Sequence, residues 1–498
     1  MRHHWLSMFS VLIIAPLASL AMPLESRWGN VHVKHAWEAA PPNWEYLGPP
    51  SPSATIDLQI ALKPENESAL VDTLYEVSTP SNPRYVVSST SPCTMYLCVE
   101  LLRCRYGAYL SREEAAELVA PHRDTLELVH AWFAHHGVQP SSISRSHGGG
   151  WLTASDVPVS LANELLGASY QLYRYVGTND TAILRTVSYS LPEVLHAHVR
   201  TVVPTTYFAS ERTLLRRPKK PPVGAAEAPA KAASRQVKKP PTVTPSFLRS
   251  LYKSDAFVPA SMARNSLGIL GVADEYPSPS DLTFFMRVLR EDAIDATYTV
   301  EQVNGGGYNP RTPGYEANLD MQYAQAIAYP TPIVFYSLGG NMQWTTSTDK
   351  PTTTDAYTVW LNYLLKKKNI PLTISGSFGA PERDLPGEYA SAICFLFAQV
   401  TVRGVSILFA TGDDGVGEGT CQYPGGTVEF MPNFPVTCMC GVWSLIFTSK
   451  HKSLTTSPLF RRPFYNRRWR YDGFTTRDRG STLWRRLFEL FSAPNIPE

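Results

Sequence analysis

Between residues 266 and 415 short apolar runs alternate with helix-like segments, and this alternation constrains the fold more than any other feature of the chain. The order is SLGILGVADEYPSPSDLTFFMRVL, GYEANLDMQYAQAIAYPTPIVFYSLGG, DAYTVWLNYLLKKKN, LTISGSF, EYASAICFLFAQVTVRG and VSILFATGDDG. Short buried strands such as IVFYSL and SILFAT, each separated from the next by a helix, make a parallel sheet with helices on both faces. In open sheets of this kind functional groups collect at the carboxyl ends of the strands, and GDD at 412–414 sits at one such end.

The chain ahead of this region reads differently. Residues from about 35 to 205 mix apolar strands such as IDLQIALKP with amphipathic helices such as ESALVDTLYEVS, which implies a compact α+β domain. In SREEAAELVAPHRDTLELVHAWFAHHG, Ser111 followed by Glu114 is a capping box, and Pro121 starts a second helix through Leu126, Val129 and Phe133. Residues 210–245, rich in Pro, Ala, Lys and Arg, cannot bury enough apolar surface to fold; they read as a basic linker open to proteolysis.

Length and composition bound the rest. A chain of 498 residues with 44% hydrophobic and 18% charged residues holds two or three globular domains, and a net charge of +2 argues little about partners. The opening MRHHWLSMFSVLIIAPLASLA runs from a basic start through an apolar block to small residues, the pattern of a secretory signal peptide cut near Ala21. Its apolar block falls short of the roughly 20 residues that a membrane span needs. Asn66 and Asn179 head glycosylation sequons that agree with export. Of the 7 cysteines, Cys93, Cys98 and Cys104 crowd one segment, while Cys394, Cys421, Cys438 and Cys440 lie far downstream. None has convincing zinc spacing, and disulfides are expected among the later four.

Glu316 and Asp320, four apart, fall on one helix face. Two like charges this close raise the proton affinity of at least one, so a half-buried pair holds a shared proton at acid pH and can serve a nucleophile as general base. On an exposed helix edge the same spacing does nothing. Asp413, in a Gly-flanked turn at a strand end, is either a turn former or a second functional acid.

Taken with its surroundings, GYEANLDMQYAQA followed downstream by GVSILFATGDDGVG resembles the sedolisins, the serine-carboxyl peptidases that include secreted fungal tripeptidyl-peptidases. TPSFLRSLYKSD at 244–255 looks like the start of a mature peptidase of this family, and PSNPRY, YGAYLSREEAAELVAP and WLTASDVPVSLANELLGASYQLYRY look like its propeptide. The resemblance covers about residues 30 to 438. It implies an activation propeptide domain over 30–209, the linker over 210–245, and a subtilisin-like α/β peptidase domain over 246–438, in which Ser, Glu and Asp replace Ser, His and Asp. By the same resemblance Glu316 takes the proton of the serine hydroxyl, Asp320 sets the proton affinity of Glu316, and a protonated Asp413 donates to the oxyanion. An acid working range follows, because the base must be ionised while the oxyanion donor stays protonated. The expected partners are peptide or protein substrates and the chain's own propeptide, with no nucleic acid and no membrane; the expected location is extracellular.

The chain departs from the family in two places. The family's GTSAS-type serine motif and the aspartates of its calcium site are not in the sequence; residues 439–498 are instead an Arg-rich tail without sustained period. Neither Ser457 nor Ser481 has the required context, so no nucleophile is nominated and no metal residues are assigned: the family implies Ca²⁺, but its site is missing. This reads as a peptidase domain truncated at its carboxyl end by a shifted frame or mistaken splice, inactive as it stands, with apolar surface exposed where the last strands should lie. The second departure is VVSSTSPCTMYLCVELLRCR at 86–105, which carries all three early cysteines and reads as a retained intron translated in frame. A different function is a non-catalytic secreted protein whose propeptide and half-domain bind a partner. A calcium loop at DDGVGEG lacks EF-hand ligand spacing.

Overall fold

The structure is a computed structural model, and it describes residues 28–78 except 43, 109–208 except 177–181, 212–213, 243–257, 265–411 except 273–274 and 340–354, 432–438 and 442–444. The expected signal peptide, the 86–105 insertion, most of the linker and nearly all of the tail lie outside the described residues.

The N-terminal half is built on a four-stranded antiparallel sheet, ordered Ile143–Arg145, Trp151–Pro158, Thr55–Leu62, Val199–Val203. Thr55–Leu62 is paired on both edges, which is why it tolerates five consecutive buried residues where an outer strand would alternate. Helix Arg123–His135 packs Val129, Trp132 and Phe133 into a core with Ile56, Leu58, Ile60 and Leu152. The Ser111 capping box forms as expected: Ser111 Oγ accepts from the Glu114 amide at 3.2 Å, and Glu114 Oε2 accepts from the Ser111 amide at 2.8 Å. The second helix starts at Arg123, two residues beyond Pro121, because His122 keeps extended backbone and its Nδ1 accepts from the Asp124 amide, acting as the cap.

The second half carries the expected parallel sheet. Its order is Tyr298–Val303, Ile333–Leu338, Leu267–Gly271, Thr373–Gly376, Ser406–Ala410, Val442–Ser444, and every neighbouring pair is parallel. Successive side chains of a strand face opposite sides. Ile269 and Phe335 therefore pack under helices Pro279–Leu289 and Tyr315–Ala328, while Leu270, Tyr336 and Ile374 pack under Ala356–Lys366 and Gly387–Thr401. A disulfide joins Cys394, on the last of these helices, to Cys438 beside the Asn433–Phe434 strand. Cys421 and Cys440 lie outside the described residues.

The two halves share one apolar cluster, in which Leu70, Leu74, Trp151 and Tyr207 meet Tyr389, Leu396 and Phe397. Polar contacts fix the junction. The Leu110 amide donates to the Val402 carbonyl at 3.0 Å, Arg200 Nη1 donates to Ser391 Oγ at 2.9 Å, and the Tyr207 ring stacks on Tyr389 at 4.2 Å. Arg185 is buried there. Its guanidinium donates to the Tyr207 and Leu184 carbonyls, and burial lowers its proton affinity against the opposing charge of Asp355 from the second half.

Candidate active site

The helix Tyr315–Ala328 is the element that positions the acids, and it is held from several sides. Its inner face, Ala317, Met321 and Ala326, packs on Ile269, Phe335 and Met286. Its start has no cap of its own, since Gly314 has no side chain. Glu275 supplies one from beyond the end of strand Leu267–Gly271: its Oε2 accepts from the Glu316 amide at 2.9 Å and from the Ala317 amide at 3.4 Å. Asn318 bridges to the neighbouring helix, accepting from the Ser278 amide and donating to Asp281 Oδ2, both at 2.9 Å. Tyr323 donates to the Val243 carbonyl at 2.8 Å.

Glu316 is only 4% exposed, which removes it from the class of solvated helix edges. The structure brings it together with Asp320 in a side-chain hydrogen bond. Asp320 also accepts from Ser377 Oγ, 2.8 Å from its Oδ1, at the carboxyl end of strand Thr373–Gly376. Burial pushes the Asp320 carboxyl up to about 7; the hydrogen bonds from Ser377 and with Glu316 oppose that, and the charge of Glu275 adds to it. A carboxyl held so far above its ordinary range gives up or accepts a proton in weakly acid solution, beside a second carboxyl that can exchange it.

Asp413 and Asn179 lie outside the described residues. Asn66 is exposed, and its Oδ1 accepts from the Ser68 and Ala69 amides at 3.2 Å, heading helix Ala69–Ser78. Among the described residues no group of three or more His, Cys, Asp or Glu stands together to hold a metal. No helix among them is long and apolar enough to cross a membrane. Two participants escaped the sequence reading, Glu275 and Ser377. Their signals are slight: Glu275 lies shortly beyond an apolar strand in GVADEY, and Ser377 directly follows one in TISGSF.

A further feature adjoins the pair. The backbone of Arg212–Thr213 runs antiparallel to the strand that directly follows Ser377, Arg212 opposite Gly379 and Thr213 opposite Phe378. An extended segment thus adds itself to a strand edge next to the acids, the way peptides are commonly bound.

Comparison with known proteins bears on the family of the chain. The family model described as Pro-kumamolisin, activation domain matches residues 42–91 and 102–208. Tripeptidyl-peptidase SED2 of Arthroderma otae is 30% identical over 444 residues, covering 86% of this chain and 70% of the relative. Tripeptidyl-peptidase SED4 of the same organism is 27% identical over 438 residues, covering 86% of this chain and 67% of the relative. Among solved structures, Pseudomonas sedolisin (serine-carboxyl proteinase) complexed with two molecules of pseudo-iodotyrostatin aligns with 40% of this chain and 52% of its own at 17% identity, with a TM-score of 0.30. On the extent of the match to the SED relatives, and on the activation domain that precedes the sheet, the chain belongs to the sedolisin family of serine-carboxyl peptidases, with the fungal tripeptidyl-peptidases.

Proposed function

We propose that the chain is the secreted precursor of an acid serine-carboxyl peptidase that removes tripeptides from free N-termini, and that it is inactive without a serine motif of the GTSAS type. The observation that carries this reading is the buried, hydrogen-bonded Glu316–Asp320 pair with Asp320 pushed up to about 7. Glu316 is the general base toward a serine hydroxyl. Asp320 tunes it by sharing a proton, and Asp413 is the oxyanion donor. Burial favours the protonated form of Asp320, so the pair carries a single negative charge that can rest on Glu316 when a serine hydroxyl must be deprotonated.

The strand edge at Phe378–Gly379 supports the placement of the substrate. A peptide lying where Arg212–Thr213 lies has its backbone hydrogen-bonded and its chain directed past the acids. The same pairing makes the segment after the N-terminal domain a competitor for that edge, as a zymogen requires. Export with removal of residues 1–21 and glycosylation at Asn66 and Asn179 complete the reading.

The test is an assay of tripeptide release from an N-terminally free peptide at about pH 4, near the ordinary carboxyl range. The chain as it stands releases nothing. Residues 1–438 joined to the serine-bearing C-terminal segment of a tripeptidyl-peptidase relative release tripeptides, and Glu316→Gln in that chimera removes the activity by two orders of magnitude or more, roughly what loss of a general base costs. A chimera that works equally well with Glu316→Gln removes Glu316 from the chemistry.

A further inference from the structure

The first two turns of the acid helix are fastened from outside, by residues that follow two neighbouring strands of the sheet. Leu267–Gly271 and Thr373–Gly376 pair side by side, and Glu275 and Ser377 follow their carboxyl ends. Glu275 takes the Glu316 and Ala317 amides. Gly314 makes room for it: a Cβ at that position would collide with the Glu275 carboxylate and its methylenes. Ser377 reaches the other acid from the opposite end, its hydroxyl on Asp320 Oδ1. Elsewhere on the helix Asn318 is engaged with Asp281 and Tyr323 with the Val243 carbonyl.

We propose that Glu275 and Ser377 are positioning residues for the acid pair: Glu275 anchors the Glu316 backbone while presenting a third carboxylate toward Asp320, and Ser377 fixes the rotamer of Asp320 through its Oδ1. The proposal rests on the reading of Glu316 and Asp320 as the catalytic acids. The two anchors act on the pair in opposite electrostatic senses. A nearby negative charge favours the protonated form of Asp320, whereas a donated hydrogen bond favours its ionised form. Among the described residues the charged groups facing Asp320 are Glu316 on its own helix and Glu275 beyond the adjoining strand; Asp281, from the packed helix Pro279–Leu289, is held by Asn318.

This opposition gives a signature that a merely structural role does not share. Carbon-13 carboxyl titration of the full chain follows Asp320 directly and needs no turnover. Glu275→Gln keeps an acceptor for the two amides and removes the charge, so the Asp320 midpoint falls; Ser377→Ala removes the donor, so it rises; each shift is about half a pH unit or more. Ser377→Cys, with a weak donor of similar size, gives a smaller rise and stands in should the alanine variant not fold. Gly314→Ala, by displacing Glu275, shifts the midpoint in the same direction as Glu275→Gln. Midpoints that stay at the parent value, or that move in one direction in both variants, overturn the proposal. Glu316→Gln in the same experiment separates the two readings: if it leaves Asp320 unmoved, the acids are not a pair and the functional reading fails, whatever Glu275 and Ser377 do.

Discussion

At the scale of single residues the chain invests an unfavourable arrangement in one place. Two carboxyls are buried against each other with a third close by, and the fold carries the cost of keeping a negative charge there. For Asp320 the sign is definite. Its folded value lies above its unfolded value, so its contribution to stability is complete below about pH 4 and is lost as pH rises through about 7. Asp320→Asn keeps an acceptor for Ser377 and a polar amide beside Glu316 without the charge. It should stabilise the protein at neutral pH by on the order of 2–4 kcal/mol and leave stability below about pH 4 unchanged, as read by denaturant melts at several pH values. A variant less stable than the parent at pH 7 would show that Asp320 is ionised and satisfied in the fold. The i,i+4 spacing in GYEANLDMQYAQA placed both acids on one face, but burial of Glu316 was not legible from it. That burial depends on what the helix packs against. Glu275 and Ser377 were illegible for the same reason: their meaning arises only when two parallel strands bring their ends side by side.

At the scale of elements the sequence was more transparent, because the signals are local. The short apolar strands and intervening helices after residue 265 form a parallel sheet covered on both faces, with alternate strand residues serving the two helical layers. The Ser111–Glu114 box is self-contained within one turn, and it forms. The helix after Pro121 starts later than proline alone suggests, because a histidine can cap with its ring nitrogen and His122 does. The Cys394–Cys438 bond meets the expectation of disulfides among the later cysteines; which of them paired depended on the return of the chain from 432–438 to the Gly387–Thr401 helix, a tertiary fact. The strand pair between Arg212–Thr213 and Phe378–Pro381 is the element that sequence could least foretell, since its first partner lies in a basic, proline-rich stretch with no apolar periodicity.

At the scale of the whole molecule acidity acts on the two halves in opposite senses. Nine of the 12 histidines lie between residues 30 and 209, and none lies between 210 and 450. Burial lowers the proton affinity of His35, and likewise of His136, where His135 adds to the effect and Glu164 opposes it. Burial also lowers that of His198, aided by Lys63 and His122 and opposed by Asp124. A histidine kept neutral in this way favours the fold above its unfolded value of about 6.5, and that preference is lost as pH falls through the lowered folded value. Acid therefore loosens the N-terminal half while relieving the buried acids of the second. Hydrogen exchange at about pH 5 and about pH 7, corrected for intrinsic rates, should show lower protection in the strands Thr55–Leu62 and Val199–Val203 at the acid value, and no loss in helix Tyr315–Ala328. Uniform loss across both halves would contradict this division. Glu316 and Asp320 share a proton inside the fold, and the chemistry proposed for the chain depends on it. Carboxyl titration of the parent chain tests it most directly: the account predicts two coupled steps with the Asp320 midpoint near 7, and two independent midpoints near the ordinary carboxyl value of about 4 would contradict it.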